Sequence, residues 1–280
     1  MSVFRFLRYP IGLLASAVVV KAFGTTRQKE RYNLLQRAHF AYGLYRAAEM
    51  ALFCGKKKVT VCEFGVASGN GLLNLIALSE KVKKETGVHF RVVGFDTGQG
   101  LPDVNGYKDH PEIWSIGDFS MIDKNTLLNR IDGRAEIFWG DIKDTADEFV
   151  NTLSRDEPLG FISVDVDLYV ASKNALRCLT GHSDLYFPAV SVYLDDVGFI
   201  FANKWCGELA AVEEFNAENE LRKIDKDRSL PGSRPIPLAP WYEHMYVCHI
   251  LDHDIRNHSR GRQGLDIEKH QNLMNSSFMY

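Results

Sequence analysis

Four aspartates stand at the ends of two short apolar runs in the second half of the chain. Asp165 and Asp167 follow one run, and the adjacent pair Asp195 and Asp196 follows the next. Both runs are rich in β-branched and aromatic residues and become acidic only at their carboxyl ends, which predicts buried parallel strands. Because ligands bind outside the carboxyl ends of such strands, we expect the four carboxylates to converge on one site.

The chemistry expected of these carboxylates is metal-assisted. Like charges crowded together are costly unless a cation neutralises them, and Mg²⁺ takes oxygen ligands while keeping positions for water or substrate. A single aspartate in such a place is usually a helix cap. The joint pattern, an i, i+2 pair on one strand and a doubled acid on the next, favours a reaction at an oxygen atom near a bound cation.

A glycine-rich turn indicates a nucleoside-bearing cofactor. Val59 to Phe64 predicts the first strand, and Gly65-Val-Ala-Ser-Gly-Asn-Gly71 predicts a tight turn into a helix. The next predicted strand ends at Asp96, where a ribose-binding carboxylate stands in dinucleotide-binding folds. Glu63 and Asp96 would then flank the turn, whose G-x-x-x-G-x-G spacing differs from the G-x-G-x-x-G of dinucleotide binders.

Strands and helices alternate along the rest of the chain. A third strand from Ala135 leads to Asp141, which either contacts an adenine or caps the following helix. Long helices are expected over residues 26–53 and 208–224, and a late strand over residues 242–251. Alternating elements of this length predict right-handed crossovers in a mostly parallel sheet. The aperiodic connection 98–119 predicts a lid or binding loop.

Composition excludes several classes of function. The 280 residues carry a net charge of −3, which gives no electrostatic reason to expect nucleic acid. Five scattered cysteines without a C-x-x-C pair argue against a disulfide framework and a zinc site, and for a reducing, cytoplasmic environment.

The two ends of the chain are expected to lie outside the catalytic domain, which we place at residues 58–251. Residues 1–57 form an N-terminal helical segment whose apolar run is too short to span a bilayer, which takes about 20 residues. That segment packs on the sheet, mediates a homo-oligomer, or touches the inner face of a membrane through residues 1–24. Residues 252–280 are a polar tail.

The motifs together resemble class I S-adenosylmethionine-dependent methyltransferases, and among them the macrocin O-methyltransferase family, which methylates sugar hydroxyls. The similar segments are Glu63-Phe-Gly-Val-Ala-Ser-Gly69, Asp96-Thr-Gly-Gln-Gly-Leu-Pro102, Trp139-Gly-Asp-Ile-Lys-Asp-Thr145, Asp165-Val-Asp-Leu-Tyr169 and Leu194-Asp-Asp196. The resemblance spans roughly residues 59–246. The segment before the doubled aspartate lacks the Gly-Gly turn expected in that family.

The resemblance implies a fold, two cofactors and a role for each motif. The fold is α/β, a Rossmann-like class I methyltransferase sheet, mostly parallel with a late antiparallel strand and helices on both faces. The cofactors are S-adenosylmethionine and Mg²⁺, and the acceptor is a small molecule or glycan. Asp167 is the expected general base, and Asp165, Asp195 and Asp196 are the expected metal ligands. The expected cofactor-binding residues are Glu63, Gly65, Ala67, Ser68, Gly69, Asp96, Asp141 and Asp165.

Three other functions remain as alternatives from the sequence. A catechol-type O-methyltransferase would use metal ligands at the same strand ends. An NAD-dependent oxidoreductase or epimerase is disfavoured by the glycine spacing. A noncatalytic scaffold that binds S-adenosylmethionine would have little need for four converging acids.

Overall fold

The computed structural model describes residues 11–230, 232, 234–236 and 238–257. Within them, seven strands form one sheet. They are β1 Lys58–Phe64, β2 His89–Asp96, β3 Glu136–Trp139, β4 Leu159–Val164, β5 Tyr186–Leu194, β6 Arg222–Lys226 and β7 Met245–Ile250. Their order across the sheet is β3-β2-β1-β4-β5-β7-β6.

The first five strands are parallel to their neighbours, whereas β7 runs antiparallel to both β5 and β6. The carboxyl ends of β1 to β5 therefore lie along the same edge of the sheet. β2 and β3 lie on one side of β1, and β4 and β5 lie on the other. This arrangement makes the tips of β1 and β4 the switch point at which an open α/β sheet binds its ligands.

Helices cover both faces of the sheet. They are α1 Ile11–Phe23, α2 Thr26–Arg31, α3 Ala38–Phe53, α4 Asn70–Thr86, α5 Lys124–Ile131, α6 Ile142–Val150, α7 Tyr169–Leu176, α8 Gly207–Glu218 and α9 Asp254–Asn257. The buried apolar residues of α3, α4 and α5 pack on one face, and those of α6, α7 and α8 pack on the other. The predicted sheet, mostly parallel with a late antiparallel strand and helices on both faces, is confirmed.

The single helix expected over residues 26–53 is wrong. Thr25 caps the short α2 through a capping box with Gln28. The chain then turns, and Asn33 and Arg37 adopt left-handed backbone conformations that end one helix and start the next. The spacing of apolar residues by three and four continues across the turn, so it conceals the break. α3 itself is buried against β1, β4 and β5.

The helix expected over residues 208–224 is also too long. α8 ends at Glu218, and Arg222–Lys226 forms the edge strand β6, which pairs with β7. Charged side chains dominate β6, as is common on edge strands, because charge discourages pairing with another chain. The burial of Arg222 and Ile224 on alternate positions shows the strand pattern, which the acidic sequence before it obscures.

The ends of the chain are described only in part. Residues 1–10 and the expected tail from 258 onwards lie outside the described residues. α1 leaves Val18, Val19 and Phe23 exposed by 69%, 59% and 88%. Among the helices in the described ranges, none combines the length and apolar character that crossing a bilayer requires.

Candidate functional site

The structure brings the four aspartates to the carboxyl edge of the sheet, as the sequence predicts. Asp165 directly follows β4, and its backbone N–H donates to the Phe64 carbonyl at the end of β1 (3.0 Å). Asp195 directly follows β5, and its N–H donates to the Val164 carbonyl at the end of β4 (3.1 Å). Backbone hydrogen bonds therefore join the tips of three neighbouring strands at the aspartates.

The carboxylates repel one another: Asp167 is buried, and the other three aspartates are half-buried. Burial, and then the charges of Asp195 and Asp196, raise the pKa of Asp165 to about 8. Burial, and then the charges of Asp167 and Asp195, raise the pKa of Asp196 to about 8. Each carboxylate thus lies within electrostatic range of its neighbours, as the sequence predicts for strand ends that meet at one site.

Asp167 has an unusual backbone as well as an unusual carboxyl group. Its φ of 63° places a non-glycine residue in the left-handed region, and such strain is concentrated at functional sites. Burial, and then the charges of Asp165 and Asp195, raise its pKa to about 7. A carboxyl group that titrates near neutral pH is suited to accept a proton during a reaction.

The donor atoms at this edge suit a hard divalent cation. Asp195 accepts a hydrogen bond from the Tyr193 hydroxyl (2.7 Å), whereas Asp196 Oδ2 is buried without a hydrogen-bond partner. Carboxylate oxygens are the ligands that Mg²⁺ prefers. As the side chains stand, no group of three or more His, Cys, Asp or Glu residues in the described part of the chain is arranged to hold a metal ion.

A fifth acid, Glu208 of α8, belongs to this cluster and was not identified from the sequence. Its side chain is 1% exposed, and Oε2 accepts a hydrogen bond from the Asp196 backbone N–H (2.9 Å). Burial, and then the charge of Asp196, raise its pKa well above the usual range. The sequence predicts an acidic amphipathic helix here, and only the contact of α8 with the residue after β5 reveals the role of Glu208.

The glycine turn packs the tips of β1 and β4 closely together. Gly65 has a φ of 87°, and a Cβ built on it would lie 1.8 Å from the Asp165 carbonyl oxygen. A Cβ on Gly71 would lie 1.8 Å from Glu63 Oε1. The turn therefore requires glycine at both positions, since any side chain would push the Asp165 or Glu63 segment away. Gly69 also has a positive φ, of 82°.

Asp96 links the glycine turn to the loop that follows β2. Its carboxylate accepts hydrogen bonds from the backbone N–H groups of Ala67 (2.7 Å) and Gly98 (2.5 Å). Ser68, between Ala67 and Gly69, is exposed, and its hydroxyl accepts a hydrogen bond from the Asn70 side-chain amide (3.1 Å). Asp96 thus holds the glycine turn and the loop after β2 together.

Glu63 is the most deeply buried acid of the expected cofactor site. It is 1% exposed, and its Oε2 has no hydrogen-bond partner. Burial, and then the charge of Asp165, raise its pKa well above the usual range. A buried orphan oxygen is costly unless a donor reaches it. An ammonium group of a bound cofactor is a donor of the right charge, so the residue types at this position fit S-adenosylmethionine.

Asp141 caps α6, which was one of the two roles considered from the sequence. Its side chain accepts a hydrogen bond from the Lys143 backbone N–H (2.8 Å). Contact with an adenine remains a prediction.

The aperiodic connection of residues 98–119 is anchored beside the site. Asp109 is fully buried and accepts hydrogen bonds from the Asn105 and Val170 backbone N–H groups (3.0 and 3.2 Å). Lys108 donates to Glu214 of α8 (2.5 Å). The charge of Asp118 contributes to the raised pKa of Asp167, so the connection reaches the expected base.

Solved methyltransferase structures are similar to this chain. The calicheamicin methyltransferase CalS11 matches with a TM-score of 0.51 and 19% identity, over 86% of this chain and 92% of that one. The O-methyltransferase NovP matches with a TM-score of 0.49 and 16% identity, over 75% and 78%. No family model and no curated protein sequence matches. The likeness to CalS11 at this identity concerns architecture, and the described chain therefore has the class I methyltransferase fold.

Proposed function

We propose that this protein transfers the methyl group of S-adenosylmethionine to a hydroxyl oxygen of a sugar or glycosylated metabolite, with the help of a divalent cation. The observation that carries the proposal is the cluster of Asp165, Asp167, Asp195 and Asp196 at adjacent strand tips, next to the glycine turn. The fold shared with CalS11 and the motif resemblance support the cofactor.

Methyl transfer from a sulfonium needs little activation of the donor. The protein must hold an oxygen nucleophile in line with the methyl group and remove its proton. Asp167 is suited to this role because its pKa of about 7 lets it be ionised at neutral pH and still accept a proton. The neighbouring carboxylates that raise this pKa would be partly neutralised by a bound cation, which keeps Asp167 ionised as the reaction begins.

Asp165, Asp195 and Asp196 would hold the cation. When bound, Mg²⁺ would stabilise the negative charge that develops on the acceptor oxygen. The buried, unpartnered Asp196 Oδ2 and the mutual repulsion of the acids support this assignment. Glu208 would orient Asp196, because its carboxylate accepts the hydrogen bond that the Asp196 backbone N–H donates.

The acceptor is proposed to be a sugar hydroxyl on the strength of the motifs around Asp165 to Tyr169 and Leu194 to Asp196. A catechol acceptor would use the same metal ligands and requires a direct comparison. The test compares the rates at which one enzyme preparation methylates nucleotide-linked sugars, glycosylated metabolites and simple catechols. Methylation of catechols alone would reject the sugar acceptor and leave the methyltransferase activity standing.

The proposed function is tested by calorimetry followed by turnover assays. S-adenosylmethionine and S-adenosylhomocysteine should bind, whereas NAD should not. Turnover with an accepted hydroxyl compound should stop after exhaustive chelation and return on addition of Mg²⁺. Binding of NAD in place of S-adenosylmethionine would refute the proposal, and undiminished turnover in excess chelator would remove the metal from it.

A further inference from the structure

The break between α2 and α3 brings a cation, Arg37, to the carboxyl edge of the sheet. Arg37 starts α3 with a left-handed backbone (φ 49°, ψ 55°), and its guanidinium carbon lies 5.4 Å from the centroid of the Phe40 ring. The Phe40 ring in turn contacts Phe161 of β4 and Tyr193 of β5, at centroid distances of 6.2 and 6.5 Å. These contacts connect the guanidinium, through the Phe40 ring, to β4 and β5.

Arg37 faces the acids of the expected cofactor site without being paired to one. Its charge opposes the rise in pKa of Glu63 and of Asp165, so it lies within electrostatic range of both. Among the residues that the structure describes, none has a carboxylate within 4.0 Å of its guanidinium nitrogens. A half-buried arginine in this position can accept a further anion.

Two buried side chains within electrostatic range of Arg37 also carry a polar atom that lacks a partner. Glu63 Oε2, at the tip of β1, has no hydrogen-bond donor, and His39 Nε2, in the first turn of α3, has no partner of either kind. His39 is 9% exposed and stacks on Tyr193 at 4.0 Å. No side chain caps the start of α3, so its first N–H groups also favour an anion. The region thus offers a place for one negative and one positive group.

We propose that Arg37 binds the α-carboxylate of the methionine part of S-adenosylmethionine, while Glu63 accepts a hydrogen bond from its ammonium group. The inference rests on the proposed function, since it assumes this cofactor. A free amino acid end carries an ammonium and a carboxylate on one carbon, which matches an acid, Glu63, and a cation, Arg37, that lie within electrostatic range of each other. The segment before residue 58 would then be part of the cofactor site.

The test removes the carboxylate from the ligand and the guanidinium from the protein in turn. The ligands are S-adenosylmethionine and decarboxylated S-adenosylmethionine, which differ only in the α-carboxylate. The proteins are the full chain and Arg37→Asn, because asparagine tolerates the left-handed backbone that this position requires. Lys81→Gln removes one exposed positive charge from α4 and is the matched control. Affinities are measured by calorimetry with metal present, and thermal unfolding checks that each variant is folded.

The wild-type chain and Lys81→Gln should bind S-adenosylmethionine about 10- to 100-fold more tightly than the decarboxylated form, the range expected of a charge-assisted hydrogen bond. In Arg37→Asn this preference should fall to about threefold or less. An unchanged preference in Arg37→Asn, or an equal loss of affinity for both ligands, would overturn the role of Arg37 and leave the proposed function standing. Failure of the wild-type chain to bind either ligand would instead overturn the proposed function itself.

Discussion

Asp167 combines three properties expected of a general base: a strained backbone, deep burial and a pKa near 7. Replacing it with asparagine keeps the shape of the side chain but removes the ability to accept a proton. We expect Asp167→Asn to lower the rate of methyl transfer by about 100-fold or more, the usual contribution of a general base. The affinity for S-adenosylhomocysteine, measured by calorimetry, should change little.

The control for this substitution is Asp156→Asn, since Asp156 is exposed and precedes the amino end of β4, whereas Asp167 follows its carboxyl end. It should leave the rate unchanged. A rate within a factor of three of the wild type in Asp167→Asn would exclude Asp167 as the base.

Glu208 is an acid of this site that the sequence did not reveal, and it should influence the metal through Asp196. Glu208→Ala removes the acceptor of the Asp196 backbone N–H and so loosens the segment that carries two expected ligands. Residues that orient metal ligands typically contribute 10- to 100-fold to affinity. We therefore expect the Mg²⁺ concentration for half-maximal turnover to rise by about that factor, while Glu213→Ala on the same helix should leave it unchanged. Equal Mg²⁺ requirements in the two variants would contradict this role.

At the scale of elements, the connection of residues 98–119 is held by a buried acid. Asp109 accepts two backbone hydrogen bonds, one from within the connection and one from the start of α7. Asp109→Ala removes the acceptor of both part-buried hydrogen bonds, and each is worth about 0.5–1.5 kcal/mol. We expect faster proteolytic cleavage within residues 98–119 and a raised KM for the acceptor. Asp103→Ala, in an exposed part of the same connection, is the control, and identical cleavage rates in both variants would refute the anchoring role.

The elements that could be predicted from the sequence are those whose burial leaves a simple pattern. β1, β2, β4 and β5 are short runs of mainly apolar, largely buried residues, and their order along the chain places Asp165 and Asp195 at one edge. The break before α3 and the edge strand β6 leave no such pattern. The turn that contains Asn33 and Arg37 is held by residues distant in sequence, since the Trp241 indole donates a hydrogen bond to the Asn33 side chain. β6 owes its strand conformation to pairing with β7. For the same reason, Arg37 and Glu208 were not recognised as neighbours of the site.

α1 is the element whose exposed apolar side chains have no described partner surface. Val19 and Phe23 are largely exposed on a helix that also carries Lys21, a composition that favours the surface of an anionic membrane. We expect the full chain to cosediment with vesicles containing anionic lipid, and Val19→Ser with Phe23→Ser to reduce the bound fraction several-fold. Leu128→Ser, an exposed leucine on α5, should not. A bound fraction that is the same with neutral and anionic vesicles would argue against this surface role.

At the scale of the whole molecule, the acid cluster should make stability depend on pH and on the cation. The pKa values of Asp165 and Asp196 are near 8 in the folded chain and about 4 for an unfolded aspartate. Between these values the folded chain binds more protons, so the free energy of unfolding falls as pH rises. His39 acts in the opposite direction, because burial lowers its pKa to about 3, but only below its unfolded pKa of about 6.5. The window from pH 6.5 to 8 therefore reports the acids.

Urea unfolding in excess chelator should show the free energy of unfolding decreasing across this window, by up to about 1.4 kcal/mol per pH unit for each acid that titrates. Asp196→Asn should flatten the slope, because it removes one titrating acid and lowers the repulsion on the others, whereas the exposed Glu80→Gln should not. Saturating Mg²⁺ should also flatten it and raise stability at pH 8, since a cation that binds only the folded chain stabilises it. A slope that neither Asp196→Asn nor Mg²⁺ alters would mean that the four aspartates do not act as one electrostatic unit.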